Sequence, residues 1–220
     1  MKKLVIAISI FCSLFVLYGC KQSTYFVPLG NFSSNLVSII EEKVGTKSRN
    51  YFTSQKMNSG ELFKIADSNA TYVEEDHKYT FISTIEKASY IMISLGIMDI
   101  LPSLTIDEEK RIFDYDEELV EQQLEILDYH LVHIIDSIRY VTNKARIMIV
   151  GAFSTFEFEK PEEELFDSII TRINRVLLNA CSDSKIEYVS TISIEERKSD
   201  EDFKANVDNY LADIIASHYE

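Results

Sequence analysis

Two short runs constrain the fold more than anything else in the chain. Ser89–Leu95 (S-Y-I-M-I-S-L) and Arg146–Ala152 (R-I-M-I-V-G-A) are almost wholly apolar, and glycine interrupts each at its carboxyl end, Gly96 and Gly151. A strand with one wet face alternates apolar and polar residues, whereas a run without alternation is covered on both faces, as in parallel sheets flanked by helices. Between the two runs lies the strongest helical pattern of the sequence, with Val120, Leu124, Leu127, Leu131, Ile134, Ile135, Ile138 and Val141 recurring at three- and four-residue steps. Strand, amphipathic helix, strand is the unit of an open α/β sheet, whose ligands lie beyond the carboxyl ends of the strands. Gly96, Asp99 and Pro102 turn the chain at that end of the first run, so the functional site is expected there.

The rest of the chain continues the alternation. Thr24–Leu29 reads as a first strand and Gly30-Asn31 as its turn. Ser33–Lys43 reads as a helix closed by Gly45, a residue suited to the left-handed C-cap. Asn50–Ser54 is expected to be a short strand and Ser59–Ala66 a weak helix. Asn69–Tyr79 reads as a polar surface loop, and Ser103–Tyr115 as an acidic, partly helical connection over the sheet edge. Pro161 with Glu162–Glu164 opens a further helix, because proline and carboxylates both suit a first turn. Lys185–Val189 supplies a fifth strand and Asp202–His218 a closing helix. Five strands alternating with helices predict one domain over residues 24–220, with its parallel sheet covered on both faces.

The first twenty residues carry an address. Lys2 and Lys3 precede an uncharged apolar run, Leu4–Tyr18, so residues 1–19 read as a secretory signal peptide. Leu17-Tyr18-Gly19-Cys20 resembles the bacterial lipobox, which implies lipidation of Cys20, a tether of residues 20–23, and a protein anchored to a membrane in the bacterial cell envelope. An uncleaved anchor is the competing reading, although the run is shorter than the ~20 residues of a spanning helix. With Cys12 removed and Cys20 lipidated, Cys181 is the remaining thiol, so no internal disulfide is expected. It reads as a packed thiol rather than a nucleophile. The formal net charge of −14, or −16 without Lys2 and Lys3, argues against a nucleic-acid partner.

The central segment A-S-Y-I-M-I-S-L-G-I-M-D-I-L, the long helix after it and the strand R-I-M-I-V-G-A-F resemble the SGNH (GDSL-type) hydrolase superfamily, above all its bacterial lipases and esterases. That resemblance spans about Thr24 to Ile215. It implies a three-layer α/β/α sandwich with a flavodoxin-like, five-stranded parallel sheet, and ester hydrolysis without a cofactor. In that chemistry a serine on a G-D-S turn attacks, a histidine in a late D-x-x-H block takes its proton, and backbone and asparagine donors hold the oxyanion.

Set against those blocks, V-P-L-G-N-F-S-S retains Gly30 but has Asn31 for the aspartate and Phe32 for the nucleophile. Ser33 and Ser34 follow as displaced hydroxyls. Gln55 stands for the second-block glycine. In the third block Gly96 and Asp99 are retained while Met98 replaces the asparagine. E-D-F-K-A-N stands for the late block, with Glu201 for aspartate and Lys204 for the base, while Asn206 and Tyr210 keep its shape. No metal site is expected, since His130 and His133 are one turn apart without a third ligand in view.

Two functional readings follow from the resemblance. In one, the domain is catalytically inactive and binds an acyl chain, a glycan or an envelope protein in a crevice at Gly30, Asn31, Gly96, Asp99 and Asn206. In the other, it is an active esterase with Ser33 or Ser34 as nucleophile, Asp99 in support, and a histidine or Lys204 as base.

Overall fold

A computed structural model describes residues 25–74, 76–182 and 185–219. Its main sheet contains β1 (Phe26–Gly30), β2 (Phe52–Thr53), β5 (Tyr90–Ser94), β8 (Arg146–Val150) and β9 (Ile186–Val189), in the spatial order β2-β1-β5-β8-β9. Every pairing is parallel. With the five strands taken in chain order, this is the 2-1-3-4-5 order of a flavodoxin-like sheet. The chain leaves β1 toward one side and crosses back to start the other, so β1 and β5 meet at the switch point.

The apolar runs are buried on both faces, and their pleat sorts the side chains into two cores. Val27, Leu29, Ile91, Ile93, Ile147 and Ile149 face one way; Phe26, Met92, Met148 and Val150 face the other. Over the first face lie α2 (Ser59–Asp67), α5 (Glu117–Val141) and α6 (Lys160–Asn179), through residues such as Leu62, Leu127, Leu131 and Ile173. Over the second lie α1 (Ser34–Val44) and α8 (Phe203–Ser217), through Leu36, Ile40, Leu211 and Ile215. Helix, sheet, helix makes the three-layer α/β/α sandwich. Gly45 closes α1 at φ 64°, donating its N–H to Glu41 O at 3.0 Å.

Two segments differ from their sequence reading. Asn69–Tyr79 is a hairpin rather than a loop: β3 (Thr71–Glu74) pairs antiparallel with β4 (His77–Thr80), and Tyr51 stacks on both Tyr72 and Tyr79. A five-residue helix, α3 (Phe81–Ile85), follows it. Ser103–Tyr115 is likewise a hairpin, β6 (Leu104–Asp107) against β7 (Ile112–Tyr115), preceded by a single 3₁₀ turn at Leu101–Ser103. Its Phe113 packs edge-on against Phe166, with ring centroids 5.3 Å apart. Both hairpins stand outside the main sheet. Their alternation is broken by polar residues, and every residue of β3 is exposed. The short helix α4 (Ile97–Ile100) starts directly after Gly96, and α7 (Ile192–Glu195) precedes α8.

Candidate functional site

A cleft of about 290 Å³ opens beyond the carboxyl ends of β1 and β5, at the switch point. Its polar wall is Asn31, Ser33, Gln55, Ser94, Ser154, Thr155 and Asp208; its apolar wall includes Met98, Leu101, Phe153, Phe156 and Leu211. A wider recess of about 510 Å³ lies beside Lys87 and Lys144, which precede β5 and β8, at the opposite end of the strands. The topology favours the first.

Gly30, expected as a binding residue, is buried at the end of β1 and does not line the cleft; its neighbours Asn31 and Ser94 do. At φ 90°, a Cβ on Gly30 would stand 2.3 Å from Ser94 O, so only glycine allows β1 and β5 to close here. Asn31 N–H then donates to Ser94 O at 2.8 Å and Ser54 N–H to Gly30 O at 3.0 Å, which joins β1 to the segment after β2. Phe32 N–H, the amide at the nucleophile position, is taken by Gly30 O at 3.1 Å. The Phe32 ring leaves the cleft altogether. It is 2% exposed and belongs to the core under α1 and α8.

Ser33 does face the cleft. As N-cap of α1 its Oγ accepts from Leu36 N–H at 2.9 Å, and the same hydroxyl donates to Asp208 Oδ2 at 3.1 Å. Asn35 Nδ2 donates to the same oxygen at 2.7 Å. Ser34 is exposed on the first turn of α1 and is not among the residues lining the cleft. Gln55 and Met98 line it together, so two of the segments expected to supply oxyanion donors do meet there. The thioether of Met98 has no proton to donate.

The late block is arranged differently from its sequence reading. Lys204 turns to Glu157 at 3.1 Å, and Arg111 reaches the same carboxylate at 3.6 Å. Glu201 is exposed ahead of α8, and Asn206 folds back on that turn, donating to Asp202 Oδ2 at 2.7 Å. None of these three lines the cleft. Val207, Asp208 and Leu211, about one turn further along, occupy that wall.

Asp99 and Gly96 sit behind the cleft. Asp99 is 6% exposed; it accepts Ser59 N–H at Oδ1 (2.8 Å) and Gly96 N–H at Oδ2 (3.1 Å). Burial raises its pKa above the usual carboxylate value, against hydrogen bonds from Ser59 and Gly96 and the nearby His130, which lower it. Ser59, fully buried, continues the chain of contacts, its Oγ lying 2.8 Å from His130 Nδ1. Burial lowers the His130 pKa; Asp99 opposes this, while His133 and Lys64 add to it. The sequence alone does not reveal this Asp99–Ser59–His130 chain, because its members lie on three elements with no common motif. It joins α4, α2 and α5, and Ser59 is closed to substrate.

None of the four histidines lines the cleft. His130 is held by Ser59, His133 Nδ1 lies 2.9 Å from Tyr129 O, His218 contacts Glu187 at 2.6 Å, and His77 is on β4. Among the described residues no cluster of three metal-ligating side chains occurs. Burial pushes the Cys181 thiol up to about 11, which keeps it protonated and unreactive at neutral pH. Cys20 and the whole of residues 1–24 lie outside the described residues, and no described helix is long and apolar enough to cross a membrane.

No protein-family profile and no curated protein matches the sequence. Solved structures do match the fold. A lipase from a goat rumen metagenome superposes with TM-score 0.64 at 16% identity, covering 88% of this chain and 96% of that one. A phospholipase A1 from Streptomyces albidoflavus superposes with TM-score 0.52 at 10% identity, covering 79% of this chain and 82% of that one. With the 2-1-3-4-5 sheet, these likenesses show that the chain shares the three-layer α/β/α fold of those two enzymes.

Proposed function

We propose that this protein is a membrane-anchored envelope lipoprotein whose hydrolase-like cleft binds a small ligand without hydrolysing it. The observation that carries the reading is the partner of Ser33. The serine hydroxyl at the end of β1 is bonded to the carboxylate of Asp208, where ester hydrolysis by a serine calls for an imidazole. A carboxylate is a far weaker base than imidazole toward a hydroxyl. The same Oγ is engaged by Leu36 N–H, Phe32 N–H is already bonded, and Met98 offers no donor. An intact cleft without a base or a full set of oxyanion donors retains binding as its function.

The test is a fluorophosphonate probe together with a panel of p-nitrophenyl acyl esters on the purified full chain. No labelling and no turnover above background is the expected result. Labelling that Ser33→Ala or Ser34→Ala abolishes would establish the opposite reading, an esterase with a displaced nucleophile. The anchor is tested separately, by incorporation of alkyne-palmitate into the wild-type chain in bacteria and its loss in Cys20→Ala. Equal incorporation in both chains would refute lipidation at Cys20.

A further inference from the structure

The cleft has one ionic side chain on its wall, Asp208, and no lysine, arginine or histidine among the described residues that line it. The two groups that hydrogen-bond Asp208, the Ser33 hydroxyl and the Asn35 amide, are neutral and both fall on Oδ2, so they fix the carboxylate without cancelling its charge. Lys204, one turn earlier on α8, pairs with Glu157, and so does Arg111. The same cleft is lined by Phe153, Phe156 and Met98. Aromatic faces and a polarizable sulfur accommodate an organic cation, and the rings add cation–π attraction. A formal net charge of −14 repels anions from the same surface.

From this arrangement we infer that the cleft selects a compact organic cation, an ammonium head carrying a short apolar substituent, and rejects the carboxylates that ester hydrolysis would release. The inference rests on the binding reading above and names the ligand class for that cleft. The ammonium sits against Asp208 and the substituent lies along Met98 and the phenylalanines. At about 290 Å³ the cleft takes a small ligand rather than a long acyl chain.

The experiment compares hexylammonium, hexanol and hexanoate binding to the purified full chain by saturation-transfer NMR with competition. The expected result is hexylammonium at least tenfold tighter than hexanoate, a preference that shrinks as salt rises. Asp208→Asn keeps an acceptor for Ser33 and Asn35 and should reduce the ratio to within about twofold. Asp213→Asn, which removes an equal charge from the exposed pair with Lys43, should leave it unchanged. Hexanoate binding as tightly as hexylammonium, or an Asp208→Asn chain that is folded by its amide spectrum and keeps the preference, would overturn the cation inference and leave the binding reading standing. Binding of none of the three would overturn the cation inference by removing the cleft as their site, and with it the binding reading.

Discussion

Ser33 Oγ donates a 3.1 Å hydrogen bond to Asp208 Oδ2, a residue 175 positions later in the chain. The bond ties the start of α1 to the middle of α8 across one wall of the cleft. It therefore contributes to stability as well as to the shape of the site. Ser33→Ala removes this bond and the N-cap bond to Leu36, a loss of about 1–2 kcal/mol by urea unfolding. Asp208→Ala removes the first bond but leaves the cap. A double-mutant cycle between them should return a coupling of about 0.5–1.5 kcal/mol. Additive effects would mean that the two side chains do not meet in solution.

The Asp99–Ser59–His130 chain, buried at Asp99 and Ser59 and half-buried at His130, gives the stability a pH dependence. Burial holds the His130 pKa below its ordinary 6.5, so the unfolded chain takes up the proton first. Its contribution is complete above pH 6.5 and is lost as pH falls through the lower folded value. Asp99 runs the other way. Its raised pKa favours the native state below 3.8, and that advantage is lost as pH rises through the folded value. Glu187 titrates in the acid range, since hydrogen bonds from His218 and Arg146 outweigh the effect of burial and hold it below 4.5. As pH falls below 6.5, then, His130→Asn should flatten the decline in stability expected of the wild-type chain. An unchanged slope would remove His130 as its source.

Three glycines with positive φ predict a graded series on substitution by alanine. Gly45, at φ 64° with open space around its Cβ position, should lose about 1 kcal/mol. Gly96, at φ 111°, would place a Cβ 2.4 Å from Ile173 Cγ2, adding about 1–3 kcal/mol of overpacking. Because that obstacle is the side chain of the buried Ile173, the losses from Gly96→Ala and Ile173→Ala should be less than additive in the double variant. Gly30→Ala meets the backbone oxygen Ser94 O, which has no smaller version. It should be the most damaging of the three, with no side-chain substitution to rescue it. Thermal unfolding ranks them, and Gly30→Ala as mild as Gly45→Ala would contradict the close approach of β1 to β5.

The sheet was legible because its strands are buried on both faces, so Tyr90–Ser94 and Arg146–Val150 read as apolar without reference to their neighbours. Helix ends were legible where chemistry marks them, as at Gly45 and Pro161. The hairpins were hidden. Thr71–Glu74 buries nothing to create alternation, and the turn at Glu108–Arg111 uses Arg111 at φ 55°, a conformation that no residue type there announces. At the cleft, Asn31, Gln55 and Met98 were found because they stand at positions of the family's sequence blocks, which fall in the turns after β1, β2 and β5. Asp208 was missed because a helix shows one face at a time. Reading E-D-F-K-A-N by its letters pointed to Lys204, while the turn that faces the cleft lies four residues on.

That offset predicts which substitution can restore chemistry. Rebuilding the family pattern by its letters, with Phe32→Ser and Lys204→His, should yield no labelling by a fluorophosphonate: position 32 faces the core under α1, and position 204 faces Glu157. Asp208→His instead changes the group already in contact with the cleft hydroxyl of Ser33. An imidazole acting as general base contributes about 10²–10⁴-fold where the geometry allows proton transfer. Asp208→His should therefore label measurably faster than wild type, by a smaller factor because the oxyanion donors are still incomplete, and Ser33→Ala in the same chain should abolish the gain. Labelling of the Phe32→Ser/Lys204→His chain and not of Asp208→His would place the reactive end of the cleft at Lys204 after all.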